Sequence, residues 1–237
     1  MQRIGLLSGL GPESTIDYYQ GIINIFNVRA GDKEPEYPEI VVYSVNMYEF
    51  LGMMKKKEYD NATDYLLTKL MALKNAGADF AAISANTPHL LFDGLEQRSP
   101  LPLVSIVEAT CTEALKRGLH RPGLFGTIFT MESSFYQSVF KRNGTDIVLP
   151  DQKDKELVNF RLFSEIELGI FKNETREELV GIIAKMVDRD HIDSIILGCT
   201  EFPLILKEEY YAGVPALNPN RIHIEAIVEK CCQAQTC

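Results

Sequence analysis

Short apolar runs alternate along the chain with longer segments in which apolar residues recur at helical spacing. The apolar runs, which are predicted to be strands, are RIGLLSG, EIVVYSVN, FAAISAN, PLVSIVE, RPGLFGT, TDIVLP, SIILGCT and a weaker VPALNP. Helices are predicted between them, including MESSFYQSVFKRNG and KELVNFRLFSEIELGIFK. Apolar strands that alternate with helices are typical of parallel sheets covered on both faces. The pattern therefore predicts an α/β/α fold.

Two segments of the chain recur at similar offsets, which indicates an internal repeat. GLLSGLGPESTIDYYQ (5–20) resembles GLFGTIFTMESSFYQ (123–137), and Ala85-Asn86-Thr87 resembles Cys199-Thr200-Glu201. The repeat predicts two pseudo-symmetric Rossmann-like lobes with parallel sheets. We place the first lobe at residues 1–100, joined by a C-terminal helix in 214–237, and the second lobe at 101–213.

The repeated turns all follow the carboxyl ends of predicted strands, where open parallel sheets bind ligands. Two lobes that face each other would enclose a cleft between them. We therefore expect four turns to surround one small ligand, and these are Ser8–Gly11, Ala85–Thr87, Gly126–Thr130 and Cys199–Glu201.

The turns are rich in neutral hydrogen-bond donors, namely Ser8, Asn86, Thr87, Thr127, Thr130 and Thr200. Such donors, together with helix N-termini, suit a carboxylate ligand. Cys199 precedes a predicted helix, where thiol pKa values fall from about 8.5 toward neutrality, so a thiolate base or nucleophile is one interpretation. A small apolar side chain that fills a strand end is the other. His89 lies in the first turn of its helix, where a site role and a capping role are both open.

Composition and charge exclude several classes of partner. The formal net charge is -9, which argues against nucleic acid because nucleic-acid binding needs clustered excess Lys and Arg. No run reaches the ~18 apolar residues of a membrane span, and MQRIGLLSG lacks a signal-peptide pattern. Five cysteines without metal spacing predict free thiols in a reducing cytoplasm and no metal site. SGLGPEST lacks both nucleotide-loop patterns, so a nucleotide is not expected.

Five motifs in order along the chain resemble the cofactor-independent aspartate/glutamate racemase family, and they are IGLLSGLGPESTIDYY, SANTPH, GTIFTMESSFY, LGCTE and RIHIEA. The resemblance implies two lobes with the active site between them, a homodimer and no cofactor. It also implies proton transfer by two cysteines on opposite faces of the α-carbon, because inversion without a cofactor needs an acid and a base.

The chain departs from this family pattern in the first lobe. Cys199 matches the second-lobe cysteine, whereas Ala85 occupies the position of the first-lobe cysteine, and a methyl group transfers no protons. Asn46 stands where relatives often have Asp, and Leu157 stands roughly where some have Lys. A water, His89 or a nearby hydroxyl are the candidates to replace the missing thiol.

The sequence thus predicts a racemase or epimerase acting on aspartate or glutamate, with weak or asymmetric activity because of Ala85. Cys199 is the expected acid/base, and the substrate is expected to be held by Ser8, Asn46, Asn86, Thr87, Thr127, Thr130 and Thr200, with Ala85, His89 and Glu201 in supporting places. Two alternatives remain open. One is a single-cysteine decarboxylase or lyase of the same superfamily, which needs only one face, and the other is a catalytically silent carboxylate-binding homologue.

Overall fold

The computed structural model describes residues 1–233. Of the three cysteines near the C-terminus, Cys231 is buried and Cys232 is exposed, while Cys237 lies outside the described residues. The chain divides into two compact units, one comprising Met1–Ile106 with the segment from His223 onward and the other Val107–Ile222. The sequence analysis places these boundaries near residues 100 and 213.

The elements are numbered in chain order. The strands are β1 (Ile4–Ser8), β2 (Ile40–Ser44), β3 (Phe80–Ile83), β4 (Leu103–Val104), β5 (Pro122–Phe125), β6 (Ser194–Leu197), β7 (Tyr210–Tyr211) and β8 (Val214–Leu217). The helices are α1 (Pro12–Ala30), α2 (Met47–Lys55), α3 (Tyr59–Asn75), α4 (Phe92–Arg98), α5 (Ile106–Lys116), α6 (Ile128–Glu132), α7 (Phe135–Arg142), α8 (Gln152–Ser164), α9 (Asn173–Asp190), α10 (Phe202–Ile205) and α11 (Pro219–Cys232). Two 3-10 turns, Thr87–Leu91 and Ile166–Leu168, complete the set.

The first unit contains a parallel four-stranded sheet in the order β2-β1-β3-β4. β1 and β3 are buried along their whole lengths, as expected for central strands covered on both faces. One layer of its core joins these strands to helices α1 and α11, and it consists of Ile4, Leu6, Tyr18, Ile22, Phe26, Phe80, Ala82, Ile224, Ile227, Val228 and Cys231. Residues of α11 therefore pack against α1 and the central strands of the first sheet.

The second unit contains a four-stranded sheet in the order β5-β6-β8-β7. β5, β6 and β8 are parallel, and the short β7 pairs antiparallel with β8 at the edge. β8 therefore belongs to the second sheet, although the sequence analysis assigned residues from 214 onward to the first lobe. The core of this unit packs strands β5 and β6 against helices α8, α9 and α10. The predicted α/β fold with two sheets of parallel strands is confirmed.

Several predicted elements differ in the structure. The segment TDIVLP, predicted to be a strand, makes only an isolated β-bridge between Val148 and Gly123. The predicted helix MESSFYQSVFKRNG is two helices, α6 and α7, and residues 166–168 turn away from α8 as a separate 3-10 turn. Cys111, predicted to lie in the core, is buried. Among the described residues, no helix combines the length and apolar character that crossing a membrane requires.

Candidate functional site

The candidate thiol lies in the turn that follows β6. Gly198 opens this turn against β5, where a Cβ atom would come within 2.7 Å of the Phe125 carbonyl oxygen, so glycine is required by the close approach. Cys199 follows, half-buried, and packs on the apolar core of the second unit. The turn then leads through Glu201 into α10.

Two carboxylates accompany the thiol. The Cys199 thiol donates to Glu201 Oε2 at 2.9 Å. Glu167, on the 3-10 turn after α8, completes a group whose Sγ and carboxylate oxygens all lie within 4.8 Å of one another. Among residues 1–233, neither Glu167 nor Glu201 pairs with a Lys, Arg or His side chain. Within the part of the chain that the structure describes, the site therefore holds two acidic groups to which no cationic side chain is bonded.

This environment raises the pKa of Cys199 well above its usual value, because the thiol is desolvated and because the Glu201 carboxylate repels a thiolate and accepts its proton. Glu167 is exposed at the surface, and partial desolvation of its carboxyl, followed by the Glu201 charge, raises its pKa. The prediction of a lowered thiol pKa was wrong. The helix credited with lowering it, α10, has only four residues and begins three positions beyond Cys199.

Thiol and carboxylate groups at this spacing are also of the kinds that bind divalent cations. Among the described residues, no fourth ligand joins Glu167, Cys199 and Glu201. The prediction that the protein has no metal site stays a prediction.

The threonines predicted to bind substrate in the second unit have different surroundings. Thr127 caps α6 by accepting from the Thr130 amide at 3.1 Å, and the two hydroxyls are also 3.1 Å apart. Thr130 is buried. Thr200 is half-buried, and no group within residues 1–233 bonds to its hydroxyl. The Asn159 side chain, which the sequence analysis did not single out, accepts from the Ile128 amide at 2.8 Å and fixes the start of α6.

The turn after β1 in the first unit is built from internal hydrogen bonds. Ser8 is fully buried, and its hydroxyl accepts from the Ser84 hydroxyl at 2.9 Å. Gly9 has a φ of +80°, and a Cβ there would lie 2.7 Å from the Val45 nitrogen. The Ser8 hydroxyl therefore joins the end of β1 to the residue after β3, and its contact with a substrate stays a prediction.

The turn after β3 presents Ala85, Asn86 and Thr87 in succession. Ala85 and Asn86 are almost fully buried, and Thr87 is half-buried and starts a 3-10 turn. No described group bonds to the Thr87 hydroxyl, which leaves it for a ligand. Asn46, in contrast, is exposed and caps α2 by accepting from the Glu49 amide at 3.3 Å.

His89 has both ring nitrogens occupied by the backbone. Nδ1 lies 2.9 Å from the Ala85 carbonyl oxygen and must donate to it, so Nε2 accepts from the Ile106 amide at 3.3 Å. Burial lowers the pKa of His89 to about 4. The ring is a neutral support for the Ala85 turn, and the alternative of a capping and packing role fits it better than that of a base.

His223, which the sequence left undecided, is part of the same buried support. Its Nε2 donates to the Val104 carbonyl at 2.9 Å, and its Nδ1 accepts from the Tyr18 hydroxyl at 2.8 Å. Burial, and then the neighbouring His89, lower the pKa of His223 to about 3. The imidazole of His223 on α11 thus joins Tyr18 on α1 to Val104 on β4.

Sequence reasoning missed two groups near the thiol. Glu167 lies in the run SEIELG, which carries no recognisable motif. Tyr136 is buried, and its pKa is raised by burial and, to a smaller extent, by the Cys199 charge. The repeat MESSFYQ contains this tyrosine and was the available signal.

The structure brings Glu167 and Glu201 to Cys199, whereas the arrangement of first-unit and second-unit turns around one ligand stays a prediction.

Two α/β units with parallel sheets, one of which carries a thiol bonded to a carboxylate after a central strand, define an α/β protein of the two-lobe racemase type. The model of the Asp/Glu/Hydantoin racemase family matches residues 7–227. The chain therefore belongs to this family, and its membership supports a racemase function.

Similar proteins agree with this assignment. The broad specificity amino-acid racemase RacX of Bacillus subtilis is 26% identical over 204 residues, which are 86% of this chain and 87% of that protein. An aspartate racemase homologue from Pyrococcus horikoshii OT3 has a TM-score of 0.87 at 35% identity, over 98% of this chain and 100% of that one. A protein from Yersinia pestis, provisionally described as an Asp/Glu racemase, has a TM-score of 0.91 at 32% identity, with the same coverage.

Proposed function

We propose that the protein is a cofactor-independent amino-acid racemase or epimerase in which Cys199 carries the proton to and from the α-carbon. The observation that supports this most directly is the 2.9 Å hydrogen bond from the Cys199 thiol to Glu201 Oε2. A proton donor and a separate proton acceptor are then held together in one turn, which reversible proton transfer requires.

The proton balance of the reaction assigns a role to each group. Because the resting thiol is protonated, its proton first moves to the Glu201 carboxylate, and the thiolate formed removes the α-proton of the substrate. The electron pair left on the α-carbon is delocalised into the α-carboxylate, which hydrogen-bond donors stabilise. Return of a proton from Cys199 restores the substrate. The Glu167 carboxylate, which takes no part in this proton transfer, suits the substrate ammonium group.

The first-unit turn that corresponds in the repeat to the Cys199 turn carries no thiol. Within the turn from Ser84 to His89, the Ser84 hydroxyl donates to Ser8, the Ala85 side chain has no polar atom, and both ring nitrogens of His89 are bonded. We therefore expect proton exchange on one face to exceed inversion, and a water molecule to serve the other face.

Aspartate or glutamate is the proposed substrate, supported by the family and by the names of the two similar structures. The broad specificity of the Bacillus subtilis relative makes neutral and basic amino acids the necessary comparison. The proposal includes a homodimer in the cytoplasm, and no cofactor is part of the reaction.

Exchange of the α-proton in D₂O tests the proposal. Both enantiomers of aspartate, glutamate, alanine and lysine are incubated with the protein, the Hα signal is followed by NMR, and inversion is followed by chiral chromatography. We expect deuterium to enter one enantiomer faster than inversion occurs, and Cys199→Ala to abolish this. Absence of exchange with every amino acid would reject the racemase proposal.

A second candidate function is favoured by the combination of Cys199 with Ala85. A decarboxylase needs an acid on one face only, because loss of CO₂ generates the carbanion and a single thiol protonates it. Release of CO₂ from substituted malonates, lost in Cys199→Ala and accompanied by no exchange of amino acids, would favour this function. Ligand-induced thermal stabilisation by carboxylates without any turnover would instead favour the silent binding homologue.

A further inference from the structure

Glu165, two residues before Glu167, is an acidic side chain buried at the end of α8, with a relative exposure of 6%. Its Oε1 accepts from Arg161 at 2.8 Å and from Lys172 at 2.9 Å, and its other oxygen accepts from the buried hydroxyl of Thr175. Every oxygen of this carboxylate is therefore engaged by groups from α8, from α9 and from the loop between them.

The backbone of Glu165 shapes the turn that carries Glu167. The Glu165 carbonyl accepts from the Leu168 amide at 3.0 Å and from the Ile170 amide at 2.9 Å, which closes residues 165–170 into a tight loop. Ile166 anchors this loop in the core of the second unit. The side chain and the backbone of one residue thus hold both ends of a turn that projects Glu167 toward the thiol.

We propose that Glu165 is a positioning residue that keeps Glu167 within 4.8 Å of the Cys199 thiol. Glu165 acts through the turn and touches neither the thiol nor Glu201. Its carboxylate is ionised, because the Thr175 hydroxyl and the Lys172 ammonium hold its pKa well below the usual range. The three bonds therefore persist at every pH at which the protein would work.

The catalytic meaning of this inference rests on the proposed function, but its test does not. Glu167 is one of the groups that raise the pKa of Cys199, after burial and Glu201. Displacement of Glu167 must therefore lower the midpoint of the pH profile for thiol alkylation. Two unit charges 4.8 Å apart under water-like screening correspond to a shift of about 0.6 pH unit, or about a fourfold change in thiolate fraction.

The experiment measures iodoacetamide labelling of Cys199 against pH, resolved by peptide mass spectrometry, with the exposed Cys232 as an internal reference. We expect Glu167→Gln to lower the Cys199 midpoint by about 0.6 pH unit. Glu165→Gln is expected to lower it comparably, and the double variant to lower it no further than Glu167→Gln alone. This non-additivity distinguishes positioning from a direct effect of charge.

Glu178→Gln is the matched control. Glu178 binds the same Arg161 guanidinium, with both oxygens 2.8–2.9 Å from its nitrogens, but it does not contact Glu165. Removal of the Glu178 charge is expected to leave the Cys199 labelling midpoint within about a tenth of a pH unit of the wild-type value. Thr175→Val keeps the packing but removes one hydrogen bond to Glu165. If Glu165→Gln does not fold, Thr175→Val replaces it, and a smaller lowering of the Cys199 midpoint is expected.

Two results would overturn the inference. One is an unchanged midpoint in both folded Glu165→Gln and Thr175→Val. The other is a Glu165→Gln shift that adds in full to the Glu167→Gln shift. Neither depends on an amino-acid substrate, so a protein with no α-proton exchange but with the expected profile would reject the racemase proposal and retain the positioning role.

Discussion

Acid is expected to destabilise the first unit because two buried imidazoles must take up protons when it unfolds. Both nitrogens of His89 and both of His223 are bonded as neutral rings. Burial lowers their pKa values from 6.5 to about 4 and about 3. Since the folded-state pKa lies below the unfolded-state value, the unfolded chain binds protons first. The stability that the neutral rings contribute is present above pH 6.5 and is lost as pH falls toward 4 and 3.

The magnitude follows from the difference in proton binding at pH 5. There an unfolded imidazole holds almost one proton, whereas each folded ring holds about a tenth of one or less. Relative to pH 7, each histidine then removes about 2 kcal/mol of unfolding free energy, and the two together about 4 kcal/mol. Carboxylates with lowered pKa values, such as Glu165, contribute below this interval, because unfolded carboxyl groups titrate near pH 4.

The assay is urea unfolding followed by circular dichroism at pH 7 and at pH 5. His223→Gln removes one titrating ring, so its loss between the two pH values is expected to be about 2 kcal/mol instead of about 4. His120→Gln, at an exposed histidine, is the control and is expected to behave as the wild type. An equal acid loss in His223→Gln and in the wild type would refute the assignment of His223 as a buried neutral ring.

Three other changes give expected outcomes. Tyr18→Phe leaves His223 Nδ1 buried without its donor, and it should lower the unfolding free energy at pH 7 by about 1–3 kcal/mol; no measurable loss would contradict the bond. Gly9→Ala forces a Cβ to 2.7 Å from the Val45 nitrogen, whereas Gly31 also has a positive φ but open space around its Cβ position. Gly9→Ala should therefore destabilise the protein by about 1–2 kcal/mol more than Gly31→Ala. Equal losses of unfolding free energy in urea melts would count against the close approach. Ala85→Cys should raise the rate of inversion relative to α-exchange by about 100-fold, since a positioned acid/base contributes at least that much; an unchanged ratio by chiral chromatography would show that a missing thiol is not the limitation.

The central strands were predictable because β1, β3, β5 and β6 are buried on both faces, and burial leaves an unbroken apolar run in the sequence. The edges were not. β7 has two residues and depends on pairing with β8 rather than on its own pattern. α2 was missed because its nine residues follow a strand directly, and the signal for its start is the single cap Asn46.

Cys199 and Glu201 were predictable because both lie in one turn with a recognisable neighbour in the repeat. Glu167 was not, since it is 32 positions away in the sequence and is brought to the thiol by the fold. The direction of the shift in the Cys199 pKa could not be predicted from the sequence either. A helix start predicts a low value, but the burial of Sγ and then the carboxylates of Glu201 and Glu167, known only from the structure, raise the pKa.

The comparison of the two repeated turns predicts that Ala85→Cys restores only part of the arrangement found at Cys199. Cys199 has a proton acceptor two residues later in Glu201, and the corresponding residue after Ala85 is Thr87, whose hydroxyl is a poor base. Ala85→Cys would therefore supply an acid without a carboxylate two residues later to receive its proton.

Adding Thr87→Glu to Ala85→Cys should supply that acceptor, because Thr87 is only half-buried and its hydroxyl bonds to no described group. We expect the double variant to invert amino acids at least several-fold faster than Ala85→Cys, within the range that general-base assistance provides. Thr87→Gln in the same background is the control, since the amide matches the carboxylate in size but accepts no proton at neutral pH. Equal inversion rates in the Glu and Gln variants would show that the thiol–carboxylate pair at Cys199 owes its function to something other than proton acceptance by Glu201.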